Sequence, residues 1–155
     1  MPVTIVAHTT IATGTSGGTS ADIDTTGANA IFVTGIQSFA GTFTFSDSKS
    51  NTWSVNSGRA DNANFTKTEA RRCLAPTVGT GHNFTVGGTN VSCCIAAVKI
   101  IASYDQQNVG QGTAASTTVT PGTITAAGSP ALIFLNIGKV GSVTVSSISD
   151  SFTVI

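Results

Sequence analysis

The chain has 155 residues, of which only 9 % are charged, and its seven basic and seven acidic residues cancel to a formal charge of zero at pH 7. A neutral chain has no long-range field that attracts nucleic acid or anionic lipid, and this length fits one domain with one core. We therefore expect a single domain over residues 1–155, with no nucleic-acid or membrane partner.

Short segments of alternating or continuous apolar character recur along the chain, at roughly the 8–12-residue spacing typical of sandwiches and barrels. Gly, Asn and Pro separate them, and no segment has a helical period. The predicted strands are Val3–Ala12, Ala21–Thr25, Asn29–Gln37, Thr42–Ser46, Thr52–Val55, Glu69–Ala75, Asn83–Val86, Val91–Ile101, Ser116–Ile124, Ala131–Ile137, Ser142–Ser147 and Phe152–Ile155. This pattern predicts an all-β fold, an antiparallel two-sheet β-sandwich of Ig-like or jelly-roll type with Greek-key connections.

The segment TFTFSDSKSNTWSV predicts a β-hairpin whose loop is Ser48-Lys49-Ser50. The pairing puts every large apolar side chain on one face, which specifies the register and makes Phe45 and Trp53 the predicted core anchor. In the loop, Asp47 and Asn51 are expected to bond backbone amides. The expected pairs are Asp47 with Asn51, Phe45 with Trp53, and Phe43 with Val55.

A second hairpin is predicted around the turn Gly87-Gly88-Thr89-Asn90, between Phe84/Val86 and Val91/Cys93. The strand that follows, VSCCIAAVKIIA, is apolar on both faces, as is Ala131–Ile137. Continuous apolar character predicts central strands that are covered on both sides.

A polar, nearly uncharged segment, Ser103–Thr120, predicts a long surface crossover. The chain stops on an apolar strand, Phe152–Ile155, which should be paired or buried. This leaves open a shortened chain or a last strand that docks into a neighbouring subunit. The N-terminal segment MPVTIVAHTT lacks the basic and long apolar regions of a secretory signal.

The three cysteines are an odd set, and adjacent Cys93 and Cys94 point to opposite faces of a strand. They predict reduced thiols that serve as small apolar core residues. A single bridge from Cys73 to Cys93 or Cys94 is the alternative, and a metal site lacks a suitably spaced fourth ligand.

Catalytic motifs are missing from the sequence. No G-x-S-x-G occurs, and His8 and His82 flank turns or strand starts, which is typical of turn or surface histidines. Asp22 and Asp24 form the one close carboxylate pair on a predicted strand; protection of a sheet edge or calcium binding would explain them. Asp47–Asn51 resembles the start of an EF-hand loop but lacks the remaining ligands. We expect no enzyme activity and no cofactor.

Three segments, SDSKSNTWSV, CLAPTVGTGHNFTVGG and the crossover after VKIIASYDQ, resemble a recurrent β-sandwich domain of tailed-phage virion and bacterial surface-associated proteins. In that group an S-D-S-x-G-N-T-[WY]-T hairpin precedes an N-P-T-V-G-[ST]-G-H-T-F-T-V segment, an apolar strand and a small-residue crossover. The resemblance implies a β-sandwich with no shared catalytic residue. Ser50 stands where the group has glycine, so a residue that takes positive φ less readily must form this loop.

The resemblance, the low charge and the apolar C-terminal strand favour a structural protein of a virion exterior: a capsid decoration, head-fibre or tail-associated protein. Its expected partners are other virion proteins and further copies of itself in a symmetric oligomer. An extracellular glycan-binding or adhesive module that contacts a host surface glycan is the alternative. The candidate partner or glycan contacts are Arg59, Arg71, Tyr104, Asp105, Gln106 and Gln107.

Overall fold

The structure, a computed structural model, describes residues 3–12, 16–38, 43–60, 66–100 and 125, and for residues 38, 57–60 and 66 it describes the backbone alone. These ranges contain the strands β1 (Thr4–Ala12), β2 (Gly18–Thr19), β3 (Ala30–Ser38), β4 (Thr44–Asp47), β5 (Ser54–Ala60), β6 (Thr66–Leu74), β7 (Phe84–Gly87) and β8 (Val91–Lys99). The crossover Ser103–Thr120 and the four strands predicted after residue 115 lie outside the described residues.

The strands form two antiparallel sheets, so the predicted all-β sandwich is confirmed. The larger sheet has the order β1-β8-β3-β6-β5, and the smaller sheet has the order β2-β7-β4. No helix occurs among the described residues. Among the described strands, only β5 and β6 are neighbours both along the chain and in a sheet. Every other connection between consecutive described strands passes from one sheet to the other.

Alternating side chains from both sheets meet in one apolar core. The larger sheet contributes Ile31, Val33 and Ile95, each no more than 1 % exposed, and the smaller sheet contributes Phe84 and Val86. Full burial of one such side chain contributes roughly 1.5–3 kcal/mol relative to leaving it exposed. This cross-sheet packing is the main apolar contribution to holding the two layers together.

The first predicted hairpin is wrong, because its two strands do not pair with each other. β4 pairs with β7, with Phe45 opposite Val86, whereas β5 pairs with β6, with Val55 opposite Arg71. The two strands lie in different sheets, and Val55 is 53 % exposed. Phe45 and Trp53 nevertheless touch edge-on, with ring centroids 4.7 Å apart, because Trp53 lies in the turn that passes between the sheets.

The second predicted hairpin is wrong for the same reason. A turn does occur at residues 88–90, and Gly88 and Asn90 adopt the positive φ that the sequence indicates, at 144° and 49°. It joins β7 of the smaller sheet to β8 of the larger sheet, so Val86 and Val91 are not cross-strand partners. Local turn chemistry therefore locates both reversals but does not decide between a hairpin and a crossing between sheets.

Strand β8 lies inside the larger sheet, as predicted, but it alternates in burial. Val91, Cys93 and Ile95 are buried while Ser92 and Cys94 are exposed, so the prediction that both faces are covered is wrong over this part of the strand. All three cysteines are free thiols. Burial raises the pKa of Cys93 to about 12, which keeps this thiol protonated and unreactive near neutral pH.

Candidate functional site

Three connections meet at one end of the sandwich: residues 20–29 between β2 and β3, residues 48–53 between β4 and β5 together with Asp47 at the end of β4, and residues 75–83 between β6 and β7. We call this set the loop end. Backbone hydrogen bonds link its members, since Thr25 N donates to Gly79 O at 3.1 Å and Ser48 N donates to Asn83 O at 3.0 Å. Ile23 and His82 form an isolated antiparallel bridge.

The Asp47 carboxylate is the centre of the loop end and is fully buried. Its Oδ1 accepts hydrogen bonds from Lys49 N at 2.8 Å, from Asn51 N at 3.4 Å and from Asn51 Nδ2 at 3.1 Å. Its Oδ2 accepts the indole N–H of Trp53 at 2.7 Å. Several charge-assisted hydrogen bonds of this kind offset the cost of burying an ionised carboxylate. The prediction that Asp47 bonds backbone amides of its own turn is confirmed. Asn51 also bonds a backbone amide, but that amide is Thr77 N of another connection.

His82 lies between Asp47 and Thr25 and is 0 % exposed. Its Nε2 is 3.2 Å from Asp47 Oδ1 and its Nδ1 is 2.9 Å from Thr25 Oγ1, and its ring stacks on Phe84 with centroids 4.4 Å apart. Burial lowers the pKa of His82, and the nearby Asp47 carboxylate opposes this shift. The imidazole is therefore neutral at pH 7. Because an ionised carboxylate only accepts, Nε2 carries the proton and Nδ1 accepts the Thr25 hydroxyl.

An outer layer of hydrogen bonds fastens the connection after β4 to residues 75–83. Lys49 Nζ donates to Thr80 O at 2.9 Å. Ser48 Oγ accepts Asn83 N at 3.1 Å and donates to Gly81 O at 3.3 Å. Every connection is thus held by side chains as well as by its own backbone, which fixes the surface that the loop end presents.

The order hydroxyl, imidazole, carboxylate in Thr25, His82 and Asp47 matches that of a hydrolase triad. A nucleophile must reach a substrate, however, and all three side chains are fully buried. The Thr25 hydroxyl is also engaged by the backbone of Gly79, at 3.1 Å from its nitrogen and 3.2 Å from its oxygen. This arrangement fastens the loops and has no access for acyl-transfer chemistry.

Sequence reasoning missed Thr25 and His82 as members of this network. The expectation that His82 is a turn or surface residue is wrong about the surface, since the ring is buried in the core. His82 is 35 residues from Asp47 and 57 from Thr25, and no local pattern connects positions so far apart. The H-x-F alternation of His82 and Phe84, both inward-facing, was the one local signal of burial.

Asp22 and Asp24 do not lie on a strand, so the predicted strand Ala21–Thr25 is reduced to the bridge at Ile23. Asp22 Oδ1 accepts Asn83 Nδ2 at 2.8 Å, and Asp24 Oδ1 accepts Thr26 N at 2.9 Å. Hydrogen bonds from the Thr26 side chain and then from its backbone N–H lower the pKa of Asp24. Within the described part of the chain, no three His, Cys, Asp or Glu side chains come together as a metal site requires.

Arg71, predicted as a contact residue, lies away from the loop end. Its guanidinium pairs with Glu69, donates to Phe43 O at 2.9 Å and lies 5.3 Å from the Phe43 ring centroid. The side chain is only 15 % exposed, which leaves little of it to contact a partner.

Arg59 lies on β5 opposite Thr68. Thr68 and Arg72 share one face of β6, and Arg71 lies on the other face. The Arg59 side chain, together with Tyr104, Asp105, Gln106 and Gln107, falls outside what the structure describes.

None of the described residues forms a helix with the length and apolarity needed to cross a membrane. A scan against protein-family models found no match, and searches of curated proteins and of solved structures found no significant similarity.

Proposed function

We propose that this chain is a non-enzymatic structural protein of a virion exterior, a capsid decoration, head-fibre or tail-associated protein that acts through contacts between folded subunits. Sequence resemblance to virion and surface-associated β-sandwich domains supports the virion setting. The one hydroxyl–imidazole–carboxylate array in the described residues is buried and fastens loops, which supports a role in contact rather than in catalysis.

The observation that carries the proposal is the rigid surface of the loop end. Surface loops lose conformational entropy when a partner binds them, and loops that are already ordered lose less. Here a buried carboxylate and imidazole hold the loops in place before any contact is made. The exposed residues of this surface are polar or small, as the rim of a subunit contact requires; they include Asp22, Asp24, Thr26, Ser48, Thr80 and Gly81.

The experiment compares one substitution at the two ends of the sandwich. Thr80 is exposed at the loop end, and Thr89 is exposed in the turn after β7, at the other end of that strand. Thr80→Arg and Thr89→Arg add the same bulk and charge without removing a side-chain hydrogen bond that the structure shows. Binding of each purified protein to virus particles that lack it is measured by co-sedimentation, and its oligomeric state by light scattering.

We expect the unmodified protein to bind such particles and Thr80→Arg to weaken binding by roughly tenfold or more, as loss of a central contact does, while Thr89→Arg binds normally. If the protein is a stable monomer and does not co-sediment with the particles, the virion role is contradicted. Binding to a glycan array instead, with loss on Tyr104→Ala, would assign the chain to the adhesive class. Equal effects at both ends contradict the loop end as the contact surface.

A further inference from the structure

The Thr25 hydroxyl can complete either of two hydrogen-bond patterns without moving a heavy atom. Its Oγ1 is 2.9 Å from His82 Nδ1 and 3.2 Å from Gly79 O. Rotation of the hydroxyl proton alone directs it to one acceptor or to the other. Gly79 N donates to the same oxygen at 3.1 Å, so this third contact persists in both patterns.

In the first pattern His82 is neutral. The Thr25 hydroxyl donates to His82 Nδ1, while Nε2–H donates to Asp47. Gly79 O is still satisfied, because Thr25 N donates to it at 3.1 Å. No buried polar group of this set lacks a partner.

In the second pattern His82 carries a second proton. Nδ1–H now donates to Thr25 Oγ1, which accepts it on its free lone pair, and the hydroxyl turns to Gly79 O. Nε2–H still donates to Asp47. Again every donor and acceptor is paired, so protonation breaks no hydrogen bond in the set.

The charged, titratable and aromatic groups around His82 are compatible with both hydrogen-bond patterns. Asp47 attracts the added charge and Lys49 repels it, and the ring of Phe84 stacks on the imidazole without a formal charge. From the side of β6, Cys73 lies within electrostatic range of Asp47, and burial raises the pKa of its thiol so that it stays neutral. Asp22 bonds to Asn83, the residue after His82.

We propose that Thr25 is a hydroxyl rotor that lets His82 take up a proton inside the folded protein, so that the loop end keeps its structure in both protonation states. The inference concerns the fold itself and does not depend on the virion role. It assigns Thr25 as a positioning residue for the proton on His82, and it lets the hydrogen bonds of the loop end persist on moderate acidification.

The test follows the two imidazole nitrogens of His82 by long-range proton–nitrogen NMR in the full chain while the pH is lowered. His8 is exposed and supplies a solvent-facing reference in the same spectrum. Fluorescence of Trp53, the single tryptophan, reports whether the loop end stays assembled, since its indole bonds to Asp47. We expect the Nε2–H tautomer at pH 7, then protonation of both nitrogens with the Trp53 emission unchanged.

Two substitutions separate the rotor from a merely structural threonine. Thr25→Ser keeps the hydroxyl, and we expect proton affinity within about twofold of wild type; Thr25→Val removes it, and we expect affinity to fall by about tenfold or more, one pKa unit or more. If Thr25→Val does not fold, Thr25→Cys, whose thiol is a weaker donor and acceptor, takes its place. A His82 that stays neutral until the protein unfolds overturns the proposal. Equal affinities in the serine and in the valine or cysteine variants also overturn it.

Discussion

Two short turns carry the chain between the sheets, and they are held by different means. The turn at 48–53 is fastened by the Asp47 side chain, which bonds the loop amides and Trp53. The turn at 88–90 relies on backbone conformation, with Gly88 and Asn90 at positive φ. Similar turn residues thus reverse the chain through a buried polar hub in one place and through glycine geometry in the other.

The difference decides what each turn tolerates. A turn held by a buried carboxylate depends on the partners of that carboxylate, which come from distant parts of the chain and include the titratable His82. A turn held by glycine depends on one residue having no side chain. Substitutions at the two turns should therefore fail for different physical reasons.

The largest effect on stability is expected at Asp47, the buried carboxylate at the centre of the loop end. Asp47→Ala removes the acceptor of Lys49 N, Trp53 Nε1 and His82 Nε2 and should lower the free energy of unfolding by about 3–5 kcal/mol. Guanidinium unfolding followed by Trp53 fluorescence measures this loss. Asp24→Ala is the matched control, since Asp24 is exposed and bonds the neighbouring Thr26. If Asp47→Ala lowers the free energy of unfolding no more than Asp24→Ala does, then the hydrogen bonds of Asp47 do not hold the loop end together.

The second effect is expected at Gly88. A Cβ there would lie 2.6 Å from Val91 Cγ2 at a φ of 144°, so Gly88→Ala combines a steric clash with backbone strain and should cost about 2–3 kcal/mol. Gly27→Ala is the control, because Gly27 has a φ of 89° but nothing within 4 Å of its Cβ position. Thermal unfolding should show a smaller loss for Gly27→Ala, about 1 kcal/mol. Equal losses of stability in the two variants would mean that backbone strain alone, without the clash with Val91, explains the effect of Gly88→Ala.

The third effect is a pH dependence that belongs to the polar turn alone. The native pKa of His82 lies below the ordinary value of 6.5, mainly because the ring is buried. As the pH falls, the unfolded chain therefore takes up this proton before the folded protein does. The contribution of His82 to the free energy of unfolding is full above pH 6.5, declines below it and is lost as the pH falls through the lower native pKa.

Denaturation series from pH 8 to pH 5 measure this slope. His82→Gln should start less stable and lack this part of the slope, whereas His8→Gln should keep it. An unchanged slope in His82→Gln would assign the pH dependence to other groups.

The smallest effect is a gain. Ser50 has a φ of 57°, which costs an ordinary residue about 1–2 kcal/mol. Ser50→Gly removes that strain but adds freedom to the unfolded chain, so we expect a net gain of about 0.5–1 kcal/mol in unfolding experiments. Asn90→Gly serves as the comparison, because asparagine already tolerates this conformation and should gain less. A loss at Ser50→Gly would show that the serine side chain contributes more than its strain costs.

The sequence located most of the described strands but not their partners. Val3–Ala12 and Asn29–Gln37 match β1 and β3 to within one residue at each end, because long apolar alternation marks a strand wherever it pairs. β2, Gly18–Thr19, was missed since two residues without a large apolar side chain carry no pattern. The predicted hairpins satisfied every local rule and are still wrong, because Phe45 meets Trp53 whether the chain folds back in one sheet or crosses to the other.

Only those contacts of the loop end that form within a single turn were predictable from the sequence. The bonds from Asp47 to Lys49 and Asn51 follow from spacing within the turn. The bonds to His82 and Thr25 depend on the sheets bringing residues 25, 47 and 82 to one end of the sandwich, and no single turn or strand encodes that meeting.

The strand order has a consequence for the time at which this protein can fold. β8 lies between β1 and β3 in the larger sheet, so these two early strands pair with a segment that begins only at Val91. The N-terminus leaves the ribosome first. About eighty residues must therefore be synthesised after β1 before β8, its neighbour in the described sheet, can pair with it. Contacts over such long separations close slowly, and the exposed early strands are the stage at which nascent chains are most open to aggregation.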